Sequence, residues 1–134
     1  MAVDALTQLE ARIGHHFADR TLLSQALTHA SYQSDGQSYQ RLEFLGDRVL
    51  GLLLADHFFK KYPDDNEGGL SLRLHAEAQA TSLAIVARKL DLAGHVQTQS
   101  GFDVAANDNI LSDVVESLLA AIILMRVCRR RVSL

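Results

Sequence analysis

Apolar side chains recur at three- and four-residue intervals through Leu6–Ile13, Leu22–Leu27, Leu42–Phe59, Leu70–Leu90 and Ile110–Val127. No segment alternates apolar with polar residues as a half-buried strand would. Five amphipathic stretches of this kind must bury their stripes against one another, so the expected fold is all-α. Helix boundaries are also legible. Asp19 is placed to cap the second stretch, Ser38 the third, and Asn107-Asp108-Asn109 the last. Ser34-Asp35-Gly36 reads as a loop, Pro63 to Gly69 as a turn-rich connection, and Gln97 to Asn109 as a polar surface loop. The long Leu70–Leu90 stretch is predicted to bend near Thr81-Ser82, where a β-branched and a capping residue coincide. There is no internal repeat.

At 134 residues and 48% hydrophobic content, the chain suffices for one domain with a real core and is too short for two. Its single cysteine, Cys128, excludes an internal disulfide and a cysteine-rich zinc site, which fits a reducing, cytoplasmic setting. The first residues, Met1-Ala2-Val3-Asp4-Ala5, lack a basic stretch ahead of an apolar one, and the longest apolar run, Leu118 to Met125, falls far short of a membrane span. No membrane association is expected. Four of the thirteen basic residues (Arg126, Arg129, Arg130, Arg131) fall in the last nine positions, so residues 1–125 set nine basic against sixteen acidic residues. A body this acidic is not a phosphate-binding face, and a polyanionic substrate would have to be drawn in by metal ions or another module.

The acids are not scattered. Glu43 and Asp47 are four residues apart, and Asp113 and Glu116 three apart, so on helices each pair projects in one direction. Leu42, Phe44 and Leu45 surround the first pair, and Val114, Val115 and Leu118 the second. Carboxylates held against apolar surface carry a desolvation penalty that a divalent cation offsets better than any neutral donor. Oxygen-only ligands, with no histidine or thiol among them, favour magnesium or manganese over zinc. Gly46, between Glu43 and Asp47, costs roughly 1 kcal/mol relative to alanine in a helix interior. Two compatible readings are tight helix packing and room for an ion or phosphate.

These residues carry a resemblance. Thr28-His29-Ala30-Ser31-Tyr32, Arg41-Leu42-Glu43-Phe44-Leu45-Gly46-Asp47, Glu67-Gly68 and Ile110-Leu111-Ser112-Asp113-Val114-Val115-Glu116 together resemble the catalytic domain of ribonuclease III over roughly residues 5–122. The resemblance implies a helical bundle of that endonuclease-domain type, acting as a homodimer on double-stranded RNA. Its implied reaction is magnesium-dependent hydrolysis leaving 5′-phosphate and 3′-hydroxyl ends, in ribosomal and messenger RNA processing. Manganese is the expected substitute ion, and no small-molecule cofactor is implied. Glu43, Asp47, Asp113 and Glu116 would be the metal-binding acids, with Asp47 and Glu116 catalytic. Gln40 and Glu67 would lie in the substrate groove, although Gln40 stands where many members carry an acid. Phe44 is by itself an ordinary core aromatic, whereas the resemblance implies that it anchors the dimer interface.

Other residues invite blander readings. His29 suits helix-end packing and hydrogen bonding better than base catalysis, and His15, His16, His57, His75 and His95 show no ligand spacing. Arg48, Lys60 and Lys61 read as solvated helix faces. After Glu116 the family's aromatic-Leu-Asp-Gly-Gly turn is replaced by Leu124-Met125-Arg126-Val127-Cys128-Arg129-Arg130-Arg131. Residues 1–125 are therefore expected to form the catalytic domain and 126–134 an atypical basic tail, with no double-stranded-RNA-binding domain present. The rival to an active endonuclease is a truncated dimerisation or RNA-processing module with weak or no cleavage.

Overall fold

The computed structural model describes residues 4–32 and 38–131, with side chains as far as Arg126. The Ser34-Asp35-Gly36 loop lies outside the described residues. Six α-helices appear among those described: α1 (Ala5–Ile13), α2 (Arg20–Ala26), α3 (Gln40–Lys61), α4 (Glu67–Glu77), α5 (Ala80–Lys89) and α6 (Asp108–Arg131). Two short 3-10 turns, Ala93–His95 and Val104–Ala106, lie between α5 and α6. Among the described residues no strand occurs, and an isolated bridge joins Thr28 to Gln97. The all-α reading holds. No helix among them is long and apolar enough to cross a membrane.

Side-chain chemistry sets the helix starts. Asp4 Oδ1 accepts from the Thr7 N–H at 2.9 Å, Asp19 Oδ1 from the Thr21 N–H at 2.9 Å, and Asn107 Oδ1 from the Ile110 N–H at 3.0 Å. Ser38 is not the cap of α3. Tyr39 holds that position without a side-chain bond, and the Gln40 N–H approaches Ser38 Oγ only at 3.4 Å. The predicted turn at Pro63–Gly69 is also shorter than expected. Asn66 Oδ1 accepts from the Gly69 N–H at 2.9 Å, so Glu67-Gly68-Gly69 becomes the first turn of α4 despite its glycines. The break in the Leu70–Leu90 stretch falls at Ala78-Gln79, just ahead of the predicted bend. Ser82 contributes there by donating its hydroxyl to the Ala76 carbonyl at 2.9 Å, satisfying a carbonyl near the helix end.

Helix α6 is the spine, packing along both α3 and α5. Leu111 and Val114 from α6, Leu9 from α1, Phe17, Leu23 from α2 and Leu92 are fully buried, each worth roughly 1.5–3 kcal/mol of apolar burial. Ala84, Ala87, Ala120 and Ala121 are also fully buried, and residues this small let α5 and α6 pack closely. The Gln97–Asn109 segment is more than a surface loop. Gln97 takes a hydrogen bond from His29 and gives one to the Leu27 carbonyl, and Val104 is buried in the core. At the other end α6 runs unbroken through Arg131, so the expected boundary at residue 125 does not coincide with the end of an element.

Among the described residues the one buried acid is Glu10, 6% exposed. Its carboxylate accepts from the Phe17 backbone N–H and, at 2.8 Å, from Arg20 Nη2. Those contacts tie α1 to the turn leading into α2. The Phe17 N–H, ahead of Arg20, holds the carboxyl below its ordinary 4.5 despite burial. A depressed folded-state pKa means that this stabilisation is complete above pH 4.5 and is lost as pH falls through the lowered value. We expect Glu10→Gln to destabilise the protein by about 2 kcal/mol at pH 7. Thermal melts of both proteins should converge as the pH falls below 4.5 and through the lowered Glu10 value. A gap that stays constant with pH would show that the charge is not what braces Phe17.

Candidate functional site

Helices α3 and α6 meet at Gly46. It is buried, and a Cβ built there would fall well inside van der Waals contact of the Glu116 carbonyl carbon and oxygen. Only a hydrogen fits. Of the two readings of this glycine, close packing is the one the contact supports: the space beside Gly46 is filled by α6 backbone. The consequence for the site is direct, because the backbone that Gly46 touches carries Glu116.

All four sequence-predicted acids gather around that contact. Glu43 lies within hydrogen-bonding reach of Asp113, and Asp47 within reach of Glu116, so each acid of α3 faces one of α6. Burial first, then the Asp113 charge, pushes the Glu43 carboxyl up to about 7. Burial first, then the hydrogen bond and charge of Asp47, pushes Glu116 up to about 8. Burial also raises Asp113, against hydrogen bonds from Glu43 and Tyr39 that act the other way. Without a cation, then, Glu43 and Glu116 hold their protons to higher pH than ordinary carboxyls.

An open cleft of about 390 Å³ exposes three of the four acids, lined by Gln40, Glu43, Phe44, Asp47, Arg48 and Glu116; Asp113 is reached through Glu43 rather than on the cleft wall. Arg48 pairs through Nη1 with Asp47 Oδ2, and its guanidinium lies 5.1 Å from the centre of the Phe44 ring. Phe44 is 65% exposed, so it is not an ordinary core aromatic. It also lines a neighbouring, larger cleft of about 720 Å³ with Leu22, Leu42, Leu45 and Leu124. The donor set suits a hard divalent cation: four carboxylates, partly desolvated and mutually repelling. It is not a ready-made cage. Among the described residues no three His, Cys, Asp or Glu side chains are arranged to hold an ion.

Residues 19–132 match the ribonuclease-III-like family model. The chain belongs to the ribonuclease III family. It is 46% identical over 132 residues to ribonuclease 3 of Rhizobium etli, covering 92% of this chain and 54% of that protein. To ribonuclease 3 of Rhizobium meliloti it is 48% identical over 121 residues, covering 87% of this chain and 51% of the relative. The chain thus spans about half the length of these curated relatives. A nuclease domain of ribonuclease III from Campylobacter jejuni, described for structural flexibility in a region involved in dimer formation, superposes with a TM-score of 0.86. It shares 34% identity and covers 90% of this chain and 85% of that one.

Within this ribonuclease III fold the remaining predicted residues separate. Gln40 reaches the cleft wall. Glu67 does not: it is exposed at the start of α4, where Oε1 accepts from Ser71 Oγ at 2.9 Å. His29 is a packing residue, edge-on to Tyr39 with ring centres 5.7 Å apart. Lys60 pairs with Asp56 at 3.0 Å on the exposed face of α3.

Tyr39 is the residue that sequence reasoning missed. It is 3% exposed and donates its hydroxyl to Asp113 Oδ2 at 3.4 Å. Burial, then the charges of Asp113 and Glu43, raises the hydroxyl above its ordinary 10 and keeps it a donor. The signal was present. Tyr39, Glu43 and Asp47 form one four-residue row, so extending the acid face back one turn leads to the tyrosine.

The tightness at Gly46 is testable. Gly46→Ala must force α3 away from α6, at a cost of about 3 kcal/mol or more, because backbone rather than a flexible side chain blocks the methyl. Chemical denaturation should show that loss. Gly51→Ala on the same helix meets nothing within 4 Å and should be neutral or mildly stabilising. Equal effects at both glycines would refute the close-contact account.

Proposed function

We propose that this chain carries the nuclease part of a double-stranded-RNA endoribonuclease. It would use divalent metal to hydrolyse phosphodiesters to 5′-phosphate and 3′-hydroxyl ends, in the maturation of ribosomal and messenger RNA. The observation that carries the reading is the meeting of Glu43 and Asp47 with Asp113 and Glu116 at the α3–α6 contact, where Glu43, Asp47 and Glu116 line an open cleft. Magnesium, or manganese in its place, held by these four acids would supply a nucleophilic water at neutral pH and offset charge on the phosphate. The chain's own part is to assemble the acids, to release the protons that Glu43 and Glu116 retain, and to offer Gln40 and Arg48 at the cleft wall. Because ligating carboxylates must be deprotonated, metal affinity should climb with pH through the raised Glu43 and Glu116 values.

A second copy of the chain completes the reading. Phe44, Leu52 and Phe59 project from one side of α3 and are 65%, 71% and 69% exposed. An apolar row this exposed is characteristic of an interaction surface. A two-fold pair built on it would use the same patch twice and give a duplex two acidic clefts, one for each strand. Phe44→Ala should weaken such a dimer by about 2 kcal/mol or more, read as a raised dissociation constant in analytical ultracentrifugation. An unchanged constant would remove Phe44 from the interface.

Glu116→Gln tests the metal site through stability as well as activity. The folded-state values of Glu43 and Glu116 are raised, so their site is least costly below pH 4.5 and destabilises the metal-free protein as pH climbs toward 8. Removing one charge should leave the metal-free variant as stable as wild type, or more so, at about pH 8. Magnesium at about a hundred times its dissociation constant should stabilise wild type by roughly 2.7 kcal/mol. That rise in melting temperature should shrink in the variant while cleavage of a perfect RNA duplex collapses. A variant that keeps both the magnesium response and the cleavage rate would sink the metal-site reading.

A further inference from the structure

The Thr28-His29-Ala30-Ser31 block takes no part in the chemistry proposed above, yet it builds a brace that ends at Asp113, the partner of Glu43 in the acid cluster. His29 Nδ1 accepts from the Ser31 N–H at 3.0 Å and lies 2.7 Å from the Ser31 hydroxyl. That hydroxyl oxygen in turn accepts from the Gln99 N–H at 3.0 Å. Main-chain bonds complete the frame: the His29 N–H donates to the Gln97 carbonyl at 2.9 Å, and the Tyr39 N–H to the Thr28 carbonyl at 2.8 Å. The imidazole so fixed stands edge-on to the Tyr39 ring, and Phe102 packs on it at 5.1 Å between ring centres. Tyr39 is held both at its backbone and at its ring, and its hydroxyl points at Asp113 Oδ2.

The terminal torsion of an aspartate is broad, so backbone and rotamer alone do not fix which way a carboxylate plane faces. Glu43 and Glu116 face other acids, and Asp47 faces both Glu116 and Arg48. Asp113 faces Glu43 and, unlike the other three, also a neutral hydroxyl on a nearly buried ring. We propose that Tyr39, clamped by His29, is a positioning residue that orients the Asp113 carboxylate for metal binding. The inference rests on the metal-site reading given under the proposed function. It also accounts for the histidine block, since His29 acts on the ring of Tyr39 and Tyr39 acts on the carboxylate. Partners that orient metal-ligating groups in this way are worth about 10- to 100-fold in metal affinity or rate.

Tyr39→Phe isolates the effect, because it keeps the ring and its packing and deletes one oxygen. Titration calorimetry of the full chain with magnesium, and separately with manganese, in the absence of RNA should show affinity weakened about 10-fold. With a perfect RNA duplex, kcat should fall while KM for RNA stays unchanged, and the metal-free melting temperature should stay close to that of wild type. His29→Leu, which loosens the ring without touching the hydroxyl, should give a smaller loss in the same direction. If wild type binds metal, Glu116→Gln loses it and Tyr39→Phe keeps full affinity and kcat, the positioning role is wrong and the metal site stands. If wild type binds neither ion, the metal-site reading fails and the role of Tyr39 fails with it.

Discussion

The contact of Gly46 with the Glu116 backbone is the constraint on which the rest of the molecule turns. A side chain of any size at residue 46 would hold α3 off α6, and with it Glu43 and Asp47 off Asp113 and Glu116. The core arranges itself around the same approach. α6 is flanked by α3 on one side and α5 on another, and its fully buried residues include Leu111, Val114, Ser117, Ala120 and Ala121. Ser117 shows how tightly that spine is drawn in: fully buried, it donates its hydroxyl to the Ala26 carbonyl at 2.6 Å and so ties α6 to the end of α2. A buried hydroxyl without such a partner would cost about 1–3 kcal/mol.

Two treatments of carboxylates coexist in this small fold, and the contrast separates structure from function. Glu10 is nearly buried but surrounded by donors, a backbone N–H and an arginine, and its acidity is strengthened. Glu43, Asp113 and Glu116 are less buried but face one another, and their acidity is weakened. The first arrangement stabilises the chain on its own. The second is a local cost that the surrounding core sustains, and Glu43 and Glu116 bear it on the wall of an open cleft, the setting that the proposed metal site requires.

The sequence shows the acids clearly because helical spacing alone puts Glu43 with Asp47 and Asp113 with Glu116 on common faces. It shows the helices for the same reason, and the caps at Asp19 and Asn107 because a side-chain oxygen at a helix start bonds to N–H groups only two or three residues away. It is less clear where two local signals compete and where partners are distant. The start of α4 overrides two glycines because Asn66 caps it, and α6 runs through Arg131 with no proline or glycine in residues 126–131 to stop it. The roles of Glu10, Ser117 and Tyr39 are set by contacts across 7, 91 and 74 residues of chain, which spacing along one helix does not reveal. Gly46 lies between: its cost in a helix announces a close neighbour, but only the fold shows that the neighbour is the backbone of a site residue.

Phe44 joins the two surfaces on which the proposed function depends. It lines the apolar cleft beside Leu42, Leu45 and Leu124 and also the acidic cleft beside Glu43 and Asp47. Arg48 rests near its ring while pairing with Asp47. Any partner that seats itself on Phe44 therefore meets a guanidinium whose other contact is a site carboxylate. That exposed pair is weak on its own, because solvent screens it, and excluding water around Phe44 would strengthen the attraction of Arg48 to both the ring and the acid. In a body whose first 125 residues carry sixteen acids against nine bases, Arg48 is a cation placed on the wall of the acidic cleft. In the dimer proposed above, assembly through α3 and the charge offered to a phosphate would thus be linked by one side chain, and a change at that interface would be felt at the site without any movement of the helices that carry it.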